Sequence, residues 1–356
     1  MSKLTKDELN VIRKELNIKG ISQLPKQQLI EELVRQAPDH FQTTIQLFDQ
    51  PRYALLQRLA REGYTSDFDY EFEQIVYLRK FGLVFTGRYQ GQNVFVMPNE
   101  IREAFNRIDE PPLQATVKKN TELTRLTHGL LFYYGILSME ELMNLAQQYV
   151  AEKIDIEHYI ELLHDLSLFY EEYDIGNRFQ VMHYRVMDPM WIQDELDLRE
   201  TLDFYPFTKE QLLRAGELDY KDRTPQYRKF KDFLMKKCRL PVVEAEMLID
   251  DLYDGIQNGD DWMNQVGYLQ NELGLDRMEQ IQEVGDLLVA YSNHTRQWVL
   301  KGYSPAELAR KEQKSLRTTS RNSEGTVIDF TTKKKVGRND PCACGSAEKF
   351  KRCCGK

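Results

Sequence analysis

No apolar run in this 356-residue sequence approaches the roughly 20 residues that cross a bilayer, so no membrane-spanning helix is expected. The opening segment Met1-Ser2-Lys3-Leu4-Thr5-Lys6-Asp7-Glu8 carries no apolar core of a secretory signal, and the expected location is the cytoplasm. Signatures of common enzyme classes are missing too: there is no phosphate-binding loop, no G-x-S-x-G elbow, no H-E-x-x-H and no dinucleotide fingerprint. The six histidines, at 40, 128, 158, 164, 183 and 294, are scattered, and His158 and His164 are spaced off any one helical face. Asp and Glu show no acid–base pairing pattern and read as solvated surface, so the chain is expected to be non-enzymatic. Cysteine is scarce as well, with five residues of which four fall in the last fifteen. In a cytosolic chain such clustering points to metal before disulfides. Cys238 stands apart beside Lys236, Lys237 and Arg239, which favour a thiolate, yet a lone Cys at helical spacing is ordinarily an inert packed residue.

What is present suits a packed protein. Apolar residues make up 41% and charged residues 29%, with 17 Phe and 19 Tyr, enough for helices and short strands around real cores. At about 150 residues per domain the length predicts two or three units plus tails. The net charge of -8 conceals an asymmetry: Lys333 to Lys356 holds eight Lys or Arg against Asp340 and Glu348, a balance of +6 that leaves -14 for residues 1–332. Such charge steers association rather than fold, and an acidic body disfavours a broad grip on nucleic acid.

Along the chain, Thr5 is placed to cap a helix from Lys6 to Leu16, and Lys26 to Gln36 forms a second, joined by Gly20-Ile21-Ser22-Gln23-Leu24-Pro25. Leu4, Leu9, Ile12, Leu16, Leu24, Leu29 and Leu33 are the positions that would close a small core. This segment, residues 1–38, resembles the helix-extended-helix of SAP and Rho N-terminal modules, which often bind nucleic acid. A hairpin of this kind also mediates protein contact or buttresses the following domain, and the sequence leaves these readings open.

Residues 40–109 read as helices at Thr43–Gln50, Arg52–Glu62 and Phe68–Phe81, followed by β-prone Leu83-Val84-Phe85 and Val94-Phe95-Val96-Met97 around a Gly91 turn. Residues 121–200 repeat that order: helices at Leu123–Tyr134, Met139–Val150 and Asp155–Leu166, then strands over Leu168–Tyr173 and Phe179–Val186. Matching "YQGQNVFVMP" with "YDIGNRFQVM" pairs Tyr89 with Tyr173, Asn93 with Asn177 and Phe95 with Phe179, which suggests tandem winged-helix-like units. In a DNA-reading winged helix the last helix before the wing meets phosphates. Here it carries Asp67, Asp69, Glu71 and Glu73 before Arg79 and Lys80 in the first unit. In the second it carries Asp155, Glu157, Glu161 and Asp165 and no base. That charge favours protein contact or scaffolding. Residues 205–310 read as a helical domain; its acidic stretch Asp250-Asp251-Leu252-Tyr253-Asp254 and Asp260-Asp261, read as a loop, lacks the spacing of a calcium site. Residues 311–335, rich in Lys, Thr, Ser and Arg, are expected to be a flexible linker. The fold expected is mainly α, of α+β type.

The strongest signal is residues 336–356, "VGRNDPCACGSAEKFKRCCGK". Cys342, Cys344, Cys353 and Cys354 supply four soft ligands, the number that a closed tetrahedral zinc site takes. Gly345 and Ser346 let the chain turn after the first pair and bring backbone N–H groups toward the thiolates, while Lys349, Lys351 and Arg352 offset their charge. With little core beyond Phe350, metal would supply most of the folding free energy of this zinc knuckle, on the order of 10 kcal/mol. The segment resembles the SEC-C motif, the zinc-binding C-terminal tail of SecA translocases that also occurs on other bacterial proteins. Gly337-Arg338-Asn339-Asp340-Pro341-Cys342, Cys344-Gly345-Ser346 and Lys349-Phe350-Lys351 carry the likeness, with Ala343, Ala347, Glu348 and Phe350 departing from it outside the ligand positions. The resemblance implies one structural Zn²⁺ in a cytosolic bacterial protein whose tail docks on a protein partner, a chaperone, the ribosome or the targeting machinery. The expected function is a non-enzymatic adaptor; the alternative is a nucleic-acid-binding regulator using the N-terminal hairpin and the basic tail.

Overall fold

Helix outweighs strand, 62% against 8%, in the computed structural model, as expected of a mainly α chain with small sheets. It describes residues 1, 3–66, 70–176, 179–322, 328–329, 334–335, 339–342, 344, 346 and 348–353. Two units divide the chain, Met1–Tyr303 and Ser304–Lys356.

The first unit opens with α1 (Lys6–Glu15), which starts with a reciprocal capping box between Thr5 and Glu8. Next comes α2 (Lys26–Thr44), longer than the periodicity indicated. It runs through Pro38 and absorbs Thr43 and Thr44, because Ala37 and Phe41 extend the buried stripe of Leu29 and Leu33 by whole turns. A short 3₁₀ turn at Ile45–Leu47, in place of the separate helix expected over Thr43–Gln50, leads to α3 (Gln50–Glu62). Then follow β1 (Tyr64–Thr65), α4 (Phe72–Lys80), β2 (Phe85–Tyr89), β3 (Gln92–Val96) and α5 (Asn99–Ile108). Leu4, Leu9, Ile12, Leu16, Leu29 and Leu33 are buried as expected, with Leu24 half-buried, but they share one core with residues as far as Phe169 instead of closing a separate one.

The second segment comprises α6 (Pro111–Tyr134), β4 (Ile136–Ser138), α7 (Met139–Gln147), α8 (Ile156–Tyr170), β5 (Tyr173–Ile175) and β6 (Gln180–His183). Helix α6 starts at the Pro111-Pro112 pair, where missing N–H groups cost nothing, twelve residues before the apolar periodicity announced it. Helix α8 runs on to Tyr170, so Leu168 and Phe169 are helical, not β. Each half holds a three-stranded antiparallel sheet whose last strand is central, in the orders β1-β3-β2 and β4-β6-β5. The repeat is therefore present in the backbone, but its register corrects the motif alignment. Thr65 faces Phe95 as Leu137 faces Val181, so Phe95 corresponds to Val181 and not to Phe179. Val181 is fully buried; Phe179 is 71% exposed. Asn177 lies outside the described residues. Gly63 and Gly135, each with positive φ, end α3 and α6 and turn the chain into β1 and β4, a better marker of the repeat.

Between the halves lies a buried polar cluster that the sequence did not announce. Arg52 of α3, with a fully buried side chain, pairs with Asp49 (2.8 Å) and with Asp165 of α8, and donates to the carbonyl of Leu47 (2.8 Å). The Tyr77 hydroxyl of α4 donates to Asp165 and that of Tyr170 to Asp49, while Phe48 and Phe169 cover the guanidinium faces. Asp165 is thus no part of an acidic outer surface; only Glu157 and Glu161 of the four carboxylates expected there remain exposed on α8 itself, with Asp155 capping its start. The flanking charges hold the arginine proton well above the ordinary range against the cost of burial.

The rest of the first unit is helical, with α9 (Pro189–Asp197), α10 (Lys209–Ala215), α11 (Pro225–Lys236), α12 (Val242–Gln257), α13 (Trp262–Glu272) and α14 (Met278–His294). Helices α11 to α14 enclose a core of Tyr227, Phe230, Leu248, Leu252, Leu269 and Leu288. The acidic stretch 250–254 is part of α12, not a loop: Lys221 holds Asp250, Tyr268 donates to Asp251 and Arg185 pairs with Asp254. Cys238 packs against this core and burial raises its thiol pKa, as for an inert residue.

In the second unit α15 spans Pro305–Asn322, so residues 311–322, expected to belong to the linker, continue a helix. Ser304 and Glu307 cap its start, and Lys, Glu, Gln, Leu and Arg in 310–317 have good helical propensity. A two-residue pair, β7 (Ile328–Asp329) with β8 (Lys334–Lys335), follows.

Candidate metal centre

The chain doubles back around the cysteines. Pro341 bridges to Lys349, the amide of Cys342 donates to the carbonyl of Glu348 (2.7 Å), and that of Phe350 donates to the carbonyl of Asp340 (2.8 Å). These bonds lay the Cys-x-Cys strand against the segment that leads into the second pair. A 3₁₀ turn over Phe350–Arg352 then delivers Cys353 to the same end.

Cys342, Cys344 and Cys353 therefore meet, with all three sulfurs within 4.8 Å of one another. The Sγ of Cys344 is 3.4 Å from that of Cys342 and 3.5 Å from that of Cys353. A tetrahedral ion with metal–sulfur bonds of about 2.3 Å spaces its sulfurs by roughly 3.8 Å, so the three donors fit one without rearrangement of the fold. Cys354, the fourth expected ligand, lies outside the described residues. Cys342 is buried and Cys344 exposed.

The thiol of Cys344 is lowered to about 6, first by the Ser346 hydroxyl, then by the Ser346 backbone N–H and the neighbouring thiols of Cys342 and Cys353. Ser346 also donates to the sulfur of Cys353 (3.3 Å). The backbone donor was anticipated from the Gly345-Ser346 turn; the hydroxyl was not, although a Ser two residues beyond a Cys-x-Cys pair is the signal that would have found it. Lys349, Lys351 and Arg352 are exposed around the cluster, in keeping with a charge-offsetting role, and Phe350 is half-buried.

The family described as the SEC-C motif matches residues 338–356, which covers this cluster. Curated relatives include SecA translocase subunits. The chain is 29% identical over 139 residues to "Protein translocase subunit SecA" of Geotalea uraniireducens, covering 35% of this chain and 14% of that protein. It is 22% identical over 376 aligned residues to the SecA of Thermodesulfovibrio yellowstonii, covering 88% of this chain and 42% of the other. Against the SecA of Elusimicrobium minutum it is 63% identical over 32 residues, 9% of this chain and 4% of the relative. The chain thus spans less than half the length of these relatives. No solved structure matches it. Among the described residues no helix is long and apolar enough to cross a membrane.

Proposed function

We propose that this protein is a zinc-binding, non-enzymatic adaptor of the cytoplasm that docks on a protein partner through its C-terminal SEC-C segment. The observation that carries the reading is the convergence of Cys342, Cys344 and Cys353 inside the matched motif, with exposed Lys349, Lys351 and Arg352 around them. With Cys354 completing the set the ion would be a four-thiolate zinc, closed to substrate and water, which suits a docking module better than a catalyst. Similarity to SecA subunits supports a chaperone, the ribosome or the translocation machinery as the class of partner.

In the body, the recurrence of a helix, a short strand, one helix (α4) or two (α7 and α8) and a hairpin supports reading 40–109 and 121–200 as winged-helix-like units used as scaffold. Their last helices before the hairpins, α4 and α8, pack on each other through Tyr77 and Asp165. On its other flank α4 meets α1, where Arg79 pairs with Glu8 and Lys80 with Glu15 (2.9 Å). Helices held this way, with acidic residues on what remains exposed, are poorly placed to enter a DNA groove.

Metal analysis of the purified chain tests the centre: about one zinc per chain is expected, lost in Cys344→Ser with the body's thermal transition nearly unchanged. Finding no zinc in the parent removes the proposal. Docking is tested by recovery of partners from a bacterial lysate with the full chain and with residues 333–356 deleted, and partners recovered equally by both would refute tail docking.

A further inference from the structure

The first unit exposes methionines where two helices begin side by side. Met187, just before α9, donates its backbone N–H to the side chain of Asn258 (2.8 Å), and the indole of Trp191 lies on Gly259. A Cβ on Gly259 would meet that ring at 2.1 Å, and its φ of +75° suits glycine, so the turn before α13 is pinned against the start of α9. Around this junction Met187, Met190 and Met263 are 73%, 78% and 78% exposed. Met190 and Asp194 of α9 and Leu198 at its C-terminal cap are spaced by four, on one stripe that is exposed throughout. Trp262 adds a partly exposed ring at the first turn of α13.

The rim of this patch is acidic. Asp188, Asp194, Asp260 and Asp261 are exposed, and among the described residues no Lys or Arg pairs with them. Asp188 and Asp261 cap the two helices, whose N-terminal dipoles offset about one charge between them and leave the rim negative. Unbranched, polarizable methionines adapt to varied apolar side chains, and a tryptophan fixed by packing supplies a rigid anchor.

We propose that the α9–α13 junction is a peptide-docking surface for an apolar segment flanked by lysine or arginine. It goes beyond the adaptor reading, which docks the tail, by assigning the body a polypeptide contact of its own. The methionines take the apolar side chains and the aspartates select the flanking charges, so register is set electrostatically and sequence only loosely.

The test is anisotropy of a labelled peptide with a leucine–alanine centre and lysine ends, titrated with the full zinc-loaded chain, beside a matched peptide with glutamate ends. The lysine peptide should bind at least ten-fold more tightly and weaken as salt rises. Met190→Glu with Met263→Glu should weaken it ten-fold or more, and Asp194→Lys about three-fold. These side chains are largely in solvent, so an unchanged melting curve certifies the fold of each variant. Equal binding of the two peptides, or variants that bind as the parent does, overturns the assignment. The adaptor reading is scored separately, by tail-dependent recovery of partners: if that succeeds while the peptide fails, only the docking surface falls.

Discussion

Removing the charge at Arg52 tests the account of how the two halves of the body are joined. Arg52→Met keeps most of the apolar stem but leaves the carboxylates of Asp49 and Asp165, 2% and 6% exposed, without their cation. Stripping one partner from a buried ionic cluster costs about 3 to 5 kcal/mol, because the remaining charges stay desolvated. At roughly 2 to 4 °C per kcal/mol for a body of this size, the melting temperature should fall by about 6 to 20 °C. The loss should also be local at first: because Asp165 sits on α8 and Tyr77 on α4, amide exchange in those two helices should speed up more than in α11 to α14. Asp165→Leu alone should cost about 1 to 3 kcal/mol, and the double variant less than the sum by 1 kcal/mol or more, since the two residues share one network. Urea titrations followed by circular dichroism measure all three. Additive costs, or Arg52→Met within 1 kcal/mol of the parent, would mean that the cluster does not couple the halves.

Two further expectations follow from buried groups and close contacts. Burial holds His128 down to about 4 and His183 down to about 3, with Arg52 and Arg185 respectively adding to the effect and Asp49 opposing it at His128. The unfolded chain takes up these protons near pH 6.5 and the folded chain does not, so stability is full above that pH. It should then fall by about 1.4 kcal/mol per pH unit per histidine on acidification toward pH 4, while Glu172 and Asp254, raised by burial, work in the opposite sense. His128→Gln should flatten that slope in denaturant titrations between pH 7.5 and 5, and an unchanged slope would refute the assignment. Where α6 crosses α10, a Cβ on Gly129 would lie 2.1 Å from the carbonyl oxygen of Leu212, so Gly129→Ala should cost about 1 to 3 kcal/mol or more. Gly267 of α13 has nothing within 4 Å, so Gly267→Ala, the control, should gain up to about 1 kcal/mol; equal effects at the two sites would refute the close approach.

The cysteine cluster was legible because its chemistry is local. Cys342, Cys344 and Cys353 lie within twelve residues, their types alone name the donor set, and the turn residues between them restrict the geometry. The helix start capped by Thr5 was likewise readable, since a cap and the amides it serves are three residues apart. Where helices ended was less so: α2 and α8 run past their expected ends because distant apolar partners, not propensity, stabilise their last turns.

The sequence by itself determined a mainly helical, acidic body and a cysteine-rich tail, both set by composition, period and spacing along the chain. Only the tertiary structure decided which carboxylates face water. Asp165 reads as one more acid on an acidic helix, and it is the approach of Arg52, 113 residues away, that buries it. The repeat register was decided the same way, because a two-residue slip preserves every strand propensity while changing which of Phe179 and Val181 meets the core. A charge or a side chain is placed by partners remote in sequence, and no local pattern encodes where those partners will be.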